Sequence, residues 1–353
     1  VAVAGDDDDG QLGLGHLDAR GEGDGPAMGG VQGVANYTSQ QLDLAFGGSW
    51  SIYTCPHWGD LEWVDGYGKE QIAGRWYDND VNKQDANLFV KGTWNVATCL
   101  NLYADLQYRY VSYKAWGVND NFDWNTMQMQ PINVDKEYHF FNPRLGVSYA
   151  FAERHNLYAS AAVAHKEPTR SDFTDRYMFA ADQTQPSPER LIDYELGYQY
   201  TAPRLQMGLN LYYMRYKDQL IPTGMVNDSS DALNVNVPDS YRCGVELPAA
   251  WSVARWLTLG GNATFSRNKI LDYVDMLADS PTYGKNLGTM TIAYSPDVVA
   301  SAYADFHVKG FEAVLRSQYV GKQYFTNNEI EALTLDAYCV TNLDLAYTLR
   351  TKA

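Results

Sequence analysis

The chain has 353 residues, 45% of them hydrophobic, and a formal charge of −16 at neutral pH. That acidic balance leaves no basic surface to neutralise phosphates, which excludes nucleic acid as a partner. No run approaches the roughly 18 consecutive apolar residues that a membrane helix needs.

Residues 1–33 stand apart. They hold ten glycines, the run Asp6-Asp7-Asp8-Asp9, no aromatic residue and no periodicity, and read as a disordered or non-native low-complexity segment. They lack the basic and apolar regions of a signal peptide. The spacing of the acids is not that of a calcium loop.

From Val34 onward, residues 34–353 read as one partial outer-membrane barrel of about thirteen strands. Apolar and polar residues alternate: Leu102, Ala104, Leu106, Tyr108 and Tyr110 oppose Tyr103, Asp105, Gln107 and Arg109. Leu145, Val147, Tyr149 and Phe151 oppose Arg144, Gly146, Ser148 and Ala150. Leu205, Met207, Leu209, Leu211 and Tyr213 oppose Gln206, Gly208, Asn210 and Tyr212, and Leu257, Leu259, Gly261, Ala263 and Phe265 follow the same rule. Successive strand side chains point to opposite faces, so each run has one greasy and one polar face. The polar faces carry Asp43, Asp105, Arg109, Glu195, Glu246, Glu312, Arg316 and Asp344. Charge on an inward face suits a wet lumen, whereas a small soluble barrel fills its interior with apolar side chains.

The joins alternate in length. Tight turns are expected near Ser39-Gln40, Ala97-Thr98-Cys99, Ala152-Glu153-Arg154, Ala202-Pro203, Val253-Ala254 and Val308-Lys309-Gly310. Long loops are expected over 54–82, 114–137, 168–189, 217–240, 267–295 and 322–335. Short turns on one rim and long loops on the other mark a transmembrane β-barrel. Most prolines, including Pro131, Pro168, Pro186, Pro188, Pro222 and Pro281, fall in those loops, as expected of a residue that cannot donate to a ladder. Pro248 lies inside an expected strand and is read as marking a bulge. The mean hydropathy of −0.39 does not count against a barrel, whose strands show only every second residue to lipid. Aromatics make up 14% of the chain, 27 of them Tyr and 9 Trp, residues that favour the membrane–water boundary.

Catalytic and metal constellations are absent from the sequence. Its six histidines show no metal spacing, and there is no GxSxG, GxGxxG or P-loop. Cys55, Cys99, Cys243 and Cys339 form no CxxC. Cys243 and Cys339 sit at apolar-phase positions, while a Cys55–Cys99 pairing stays open. No enzyme activity, cofactor or metal is therefore expected.

Four segments carry a family resemblance. Phe141-Asn142-Pro143-Arg144-Leu145-Gly146-Val147-Ser148-Tyr149 is similar to a strand opening common in TonB-dependent outer-membrane receptors. Asn156-Leu157-Tyr158-Ala159-Ser160 with Glu167-Pro168-Thr169-Arg170-Ser171-Asp172-Phe173 resembles the segment that follows it there. Pro188-Glu189-Arg190 with Tyr194-Glu195-Leu196-Gly197-Tyr198 comes next. Tyr319-Val320-Gly321 with Val340-Thr341-Asn342-Leu343-Asp344-Leu345 resembles the strands before closure. The flavour is that of Bacteroidetes-type bacteria.

The resemblance implies a 22-stranded barrel with a plug, located in the Gram-negative outer membrane. Its partners would be membrane lipid, the TonB complex and a chelate such as a siderophore, haem or cobalamin. Against that pattern the chain shows no plug and no TonB box. About seven early strands and two final strands are also missing, so part of a larger protein is expected.

Ligand contacts are expected from the long loops, at Trp116, Phe122, Trp124, Arg170, Arg176, Tyr177 and Phe179, because aromatics and arginines combine area with directional donors. The alternative places Trp116 and Tyr177 in the aromatic girdle and makes Arg170 a brace for Glu167 or Asp172. Two other functions fit parts of the pattern: a plug-free porin-like channel, and a soluble β-rich carbohydrate-binding protein.

Overall fold

Thirteen strands follow one another in an antiparallel meander. The computed structural model describes residues 25–60, 75–123, 126–175, 185–226, 232–277 and 280–349. The first six strands are β1 (Ala27–Thr38), β2 (Leu42–Asp60), β3 (Arg75–Ala97), β4 (Leu100–Asp123), β5 (Gln128–Ala152) and β6 (His155–Lys166). A short helix α1 (Arg170–Thr174) leads to β7 (Glu189–Thr201), β8 (Leu205–Val226), β9 (Ala232–Ala254) and β10 (Leu257–Ile270). After the two-residue β11 (Met290–Thr291) come β12 (Val298–Val308) and β13 (Phe311–Val320). The two-residue pair β14 (Gln323–Tyr324) and β15 (Thr334–Leu335) precedes β16 (Tyr338–Tyr347). The sheet runs β1 to β10 in order, then β12, β13 and β16, with β11 attached to β10.

Register fixes the faces, because directly paired antiparallel residues point the same way. Leu44, Gly92, Ala104, Leu145, Ala161, Tyr194, Tyr213 and Cys243 lie along one outward row across β2 to β9. The matching inward row on β4 to β7 is Asp105, Arg144, Ala162 and Asp193. Large apolar side chains stay exposed on the outward face, among them Leu88 at 68% and Leu345 at 63%. No second sheet covers them, so the packed sandwich required by the soluble reading is absent among the described residues. Such a face needs lipid.

All six expected tight turns are present, between β1 and β2, β3 and β4, β5 and β6, β7 and β8, β9 and β10, and β12 and β13. In the last, Lys309 and Gly310 have φ of 50° and 89°, the left-handed pair that matches a hairpin's twist.

Three expectations are corrected. β1 begins at Ala27, seven residues before the expected barrel boundary at 34, and pairs with β2 along its whole length. The ladder holds its backbone whatever the side chains, so Gly29, Gly30 and Gly33 do not prevent a strand. Residues 1–24 lie outside the described residues.

Much of the expected loop sequence is also strand. β4 and β5 pair past Trp116 and β8 and β9 past Leu220, so these hairpins rise well beyond the nine to eleven residues that cross a bilayer. Their arms are polar and lose the apolar period, which hid them. Pro131 and Pro222 sit inside the arms, each beside a register shift.

Pro248 makes no bulge. The β8–β9 register is the same on both sides of it, with only the pairs at Gly208 and Leu209 missing. Its ring fills the space over Gly208, and on its other side it stays in register with Asn262 of β10.

Candidate functional site

The concave inner face is built from the polar half of each strand. Asp43, Asp105, Arg109, Glu195, Glu246, Glu312, Arg316 and Asp344 all fall on it by register. Among the cross-strand pairs that set a tyrosine against a glycine are Tyr77 and Gly59, Tyr158 and Gly197, Tyr212 and Gly244, and Tyr303 and Gly260. At each glycine a Cβ would meet tyrosine side-chain atoms well inside contact distance. The rings therefore lie along the wall where a side chain is missing, a device that covers strand glycines. Tyr158 then donates to Asn210 Oδ1 at 3.0 Å, and Asn210 Nδ2 donates to Glu246 Oε2 at 3.2 Å. The result is a smooth, hydrogen-bonded polar surface.

Higher on the wall a four-charge latch ties the end of β6 to β3 and β4. Arg109 donates from Nη1 to Glu167 Oε2 and from Nη2 to Glu167 Oε1, both at 2.8 Å. Its Nε reaches Asp85 Oδ2 at 3.0 Å, and Lys83 Nζ reaches Glu167 Oε1 at 2.7 Å. Two cations meet two carboxylates, so the group is neutral and exerts little net pull on a charged solute. Its job is to fix where the segment after β6 crosses the wall.

That segment is α1. Thr169 is its N-cap: Asp172 Oδ2 accepts from Thr169 N and Thr169 Oγ1 at 2.7 Å each, and the Asp172 backbone N–H faces the Thr169 side chain in return, the reciprocal arrangement of a capping box. Phe173 packs with Val81, Tyr113, Ala115 and Ile132 on the inner wall. On its other side Asn234 of β9 donates to Asp172 Oδ1 at 3.1 Å. The helix thus bridges β3–β5 to β9 across the concavity. Gln130 Nε2 adds a bond to the Thr174 carbonyl at 2.9 Å.

The rim over β8–β10 is an interlocked set of loops. Ile221, Val235, Val237, Ile270, Tyr273 and Ile292 form its core. Buried Asn327 donates to the Pro222 carbonyl at 2.6 Å and accepts from Ala293 N at 2.8 Å. Burial pushes the Asp275 carboxyl up. Hydrogen bonds from Ser280, Thr282, the Leu277 amide and Asn328 outweigh that and hold it below the ordinary range. Glu329 is likewise pushed up by burial but held low by the Thr291 hydroxyl and amide and by Lys269.

Of the seven expected ligand contacts, Trp124, Arg176, Tyr177 and Phe179 lie outside the described residues. Trp116 is in β4 on the outward phase, 48% exposed, where a girdle residue would sit. Phe122 lies at the tip of β4, opposite Met129. Arg170 opens α1 and donates from Nη2 to Asn119 at 3.0 Å and to Asn79 at 3.2 Å. Glu167 and Asp172, the partners expected for it as a brace, are instead engaged by the latch and by the start of the helix.

Cys55, near the tip of β2, and Cys99, in the opposite turn, are both free. The sixteen residues from Val81, paired with Cys55, to Ala97 span about 50 Å of strand, so no bridge joins them. Cys243 and Cys339 face outward, opposite Tyr213 and Tyr319. Among the described residues no group of His, Cys, Asp or Glu is arranged to hold a metal.

The sequence profile described as "TonB dependent receptor-like, beta-barrel" matches residues 5–353. The chain belongs to the TonB-dependent receptor family. Members of this family are transport receptors, not enzymes, and their barrels lie in the Gram-negative outer membrane. No curated protein sequence matches this TonB-dependent receptor barrel.

Solved structures do match in fold. The copper transporter OprC aligns with a TM-score of 0.71 at 15% identity, over 92% of this chain and 50% of that one. The ferric-catecholate import receptor Fiu from E. coli K12, in its closed form, aligns with 0.63 at 13% identity, over 92% and 48%. The ferric yersiniabactin uptake receptor FyuA from Yersinia pestis gives 0.62 at 14%, over 91% and 46%. The chain spans about half the length of the structures it matches.

The latch is the part that sequence reasoning missed. Arg109 stood out as an inward charge, but its partners are 24 and 58 residues away. Counting outward from the turn at residues 98–99 would have set Arg109 opposite Leu88; the register shift between Asn95 and Ala97 is what brings Asn87 opposite it and Asp85 within reach. No local signal leads to Glu167.

Proposed function

We propose that this barrel serves a receptor that captures a scarce chelate, of the siderophore, haem or cobalamin class, at its extracellular mouth. Passage through the lumen would draw energy from the inner membrane through TonB. The observation that carries the reading is the family match together with a charged, hydrogen-bonded concave wall beneath an interlocked rim. A lumen lined this way wets and passes a bulky polar solute, whereas an apolar one would not. The three structural neighbours, a copper transporter, a ferric-catecholate import receptor and a ferric yersiniabactin uptake receptor, favour a metal or its complex as cargo. Contacts to it would come from Phe122, Trp124, Arg170, Arg176, Tyr177 and Phe179, around the tip of β4 and the segment after α1. Trp116, on the outward phase, would stand outside that group.

The test is uptake by cells in which the receptor containing this chain is the sole candidate route. Labelled ferric catecholate, haem and cobalamin are offered with and without an uncoupler of the inner-membrane proton gradient. Accumulation of one of them that stops with the uncoupler supports the reading. Unselective passage of small sugars, indifferent to the uncoupler, would replace it with a diffusive porin.

A further inference from the structure

Where α1 meets the inner wall, the guanidinium of Arg170 stands without a carboxylate partner among the described residues. Its Nη2 meets neutral acceptors, Asn119 Oδ1 at 3.0 Å and Asn79 Oδ1 at 3.2 Å. Both amides are 1% exposed and are held oxygen-first toward the arginine. Asn79 Nδ2 is committed to the Val118 carbonyl at 3.1 Å, and Asn119 Nδ2 to Gln130 Oε1 at 3.3 Å. The acids nearby on the strap are engaged elsewhere. Glu167 is held by Arg109 and Lys83, and Asp172 accepts from Thr169 and Asn234. Asp80, next to Asn79, is on the outward phase opposite Trp116.

Two buried polar atoms in this place have no hydrogen-bond partner, Arg170 Nε and Tyr113 Oη. Tyr113 is 7% exposed. Its ring stacks on Phe173 of α1, with centroids 6.0 Å apart. The Arg170 charge reaches the rings of Tyr113, Tyr77 and His57, one each from β4, β3 and β2. Both unmatched atoms are donors, and they do not bond to each other. An acceptor between them satisfies both, where otherwise each carries the cost of a buried donor left unpaired.

The chemistry of that acceptor follows from what surrounds it. At the latch the chain meets two cations with two carboxylates, but to Arg170 it offers two amides, which leave the positive charge undiminished. That charge favours an anion over a water molecule, whose own two hydrogens would need acceptors that are already engaged. The two atoms are sealed from solvent, so a bulky solute cannot reach them. A phosphate carries more acceptor oxygens than two donors can serve, whereas a halide needs only a few N–H and O–H groups around it. The donors are side chains, and the five-residue helix adds no ion site of its own.

We propose that Arg170 Nε and Tyr113 Oη together bind a halide ion, which pins α1 to the wall of β3 and β4. The buried Nε edge is separate from the rest of the Arg170 side chain. The site needs neither cargo nor a proton gradient, so its test stands apart from the transport reading.

The test uses the receptor containing this chain, purified in neutral detergent and dialysed into gluconate at constant ionic strength. Chloride and bromide are titrated in while hydrogen exchange is followed in the peptide covering residues 169–175. Protection there should rise saturably with either halide. Bromide-soaked crystals should show an anomalous peak between Arg170 Nε and Tyr113 Oη. R170Q should abolish the halide dependence. Y113F removes one hydroxyl from a ring that stays packed and should weaken halide binding by on the order of tenfold, as expected for a hydrogen bond to a charged group. K114Q, on the outward face, should change nothing.

No halide dependence in the unaltered receptor, or the same dependence in folded R170Q, would overturn the proposal. So would density between the two donors with no bromide signal, which would show a bound water only. Retention of the compact band on unheated gels shows that each variant is folded. If R170Q misfolds, Y113F decides alone, and an unchanged halide affinity in that variant would overturn the site.

Discussion

Glu167 holds two cations at once, and this decides what its loss does. It is 11% exposed, against 24% for Arg109 and 34% for Lys83. In E167Q the amide keeps the shape, but Arg109 and Lys83 lose their shared carboxylate. Leaving such donors half-buried and unmatched costs about 1–3 kcal/mol. Urea unfolding of the receptor in lipid vesicles should show that loss, and D85N, whose carboxylate meets Arg109 alone, should show less. Equal effects would mean the two acids merely share solvated charge. Asp275 makes a second prediction, with pH as the variable. An unfolded aspartate titrates near about 3.9, and the folded group lies lower. Its contribution is therefore complete above that range and fades as pH falls through the folded value. Hydrogen-exchange protection in the loop around Asp275, taken relative to the intrinsic rate at each pH, should fall as pH falls through that window in the native protein. D275N should exchange faster at neutral pH and show no such step. Asp275 did not stand out in the sequence and Glu167 was read there only as a partner for Arg170, because the partners that define them, Arg109 for Glu167 at a separation of 58 and Asn328 for Asp275 at 53, come from distant strands and turns.

The strands were legible wherever one face met lipid, since a strict period of two survives only while alternate residues must be apolar. That is why the turns at 153–154 and 309–310 fell where the alternation stopped. It is also why the arms of β4–β5 and β8–β9 read as loops. Above the bilayer both faces are wet, Lys114 and Asp135 can face outward, and the backbone ladder continues without a hydropathy signature. The tyrosine–glycine pairs belong to this scale, because they need two strands in register to exist. Gly197 allows the Tyr158 ring to lie on the wall and to reach Asn210. A methyl group there must push the ring into the lumen. G197A should cost about 1–3 kcal/mol, the usual penalty of overpacking, and should release the Tyr158–Asn210 bond. Slower refolding into vesicles would register the first effect, and a shifted tyrosine fluorescence the second. In the double variant G197A/Y158A the ring is gone, so the added methyl should cost much less than it does alone. A cost that stays the same would show that the glycine serves the backbone rather than the ring.

The molecule as a whole is a sheet with two solvents. Its outward face exposes Leu88, Leu196, Trp251 and Leu345, and its inward face carries the charges, with the latch and α1 spanning the concavity. One substitution placed on either face at the same depth separates this arrangement from a soluble sheet. Leu196 and Glu195 are neighbours in the middle of β7. Leu196 faces outward between Ala159 and Leu211, and Glu195 faces inward between Ser160 and Tyr212. An arginine at 196 must be buried in hydrocarbon, at a cost of about 2–4 kcal/mol near the bilayer midplane. An arginine at 195 enters a wet wall beside Asp193, so E195R should change stability by less than about 1 kcal/mol. Folding equilibria of the receptor in vesicles give both numbers. The difference should widen in thicker bilayers, where residue 196 lies further from either interface, and should vanish in a detergent whose micelle adapts to the charge. Equal penalties for the two variants would mean that the outward face does not meet lipid, and the assignment of faces would fall with it. The ordering of the penalties tests the same physical fact that sets the outer rim: the apolar band ends where Arg215 and Lys217 begin.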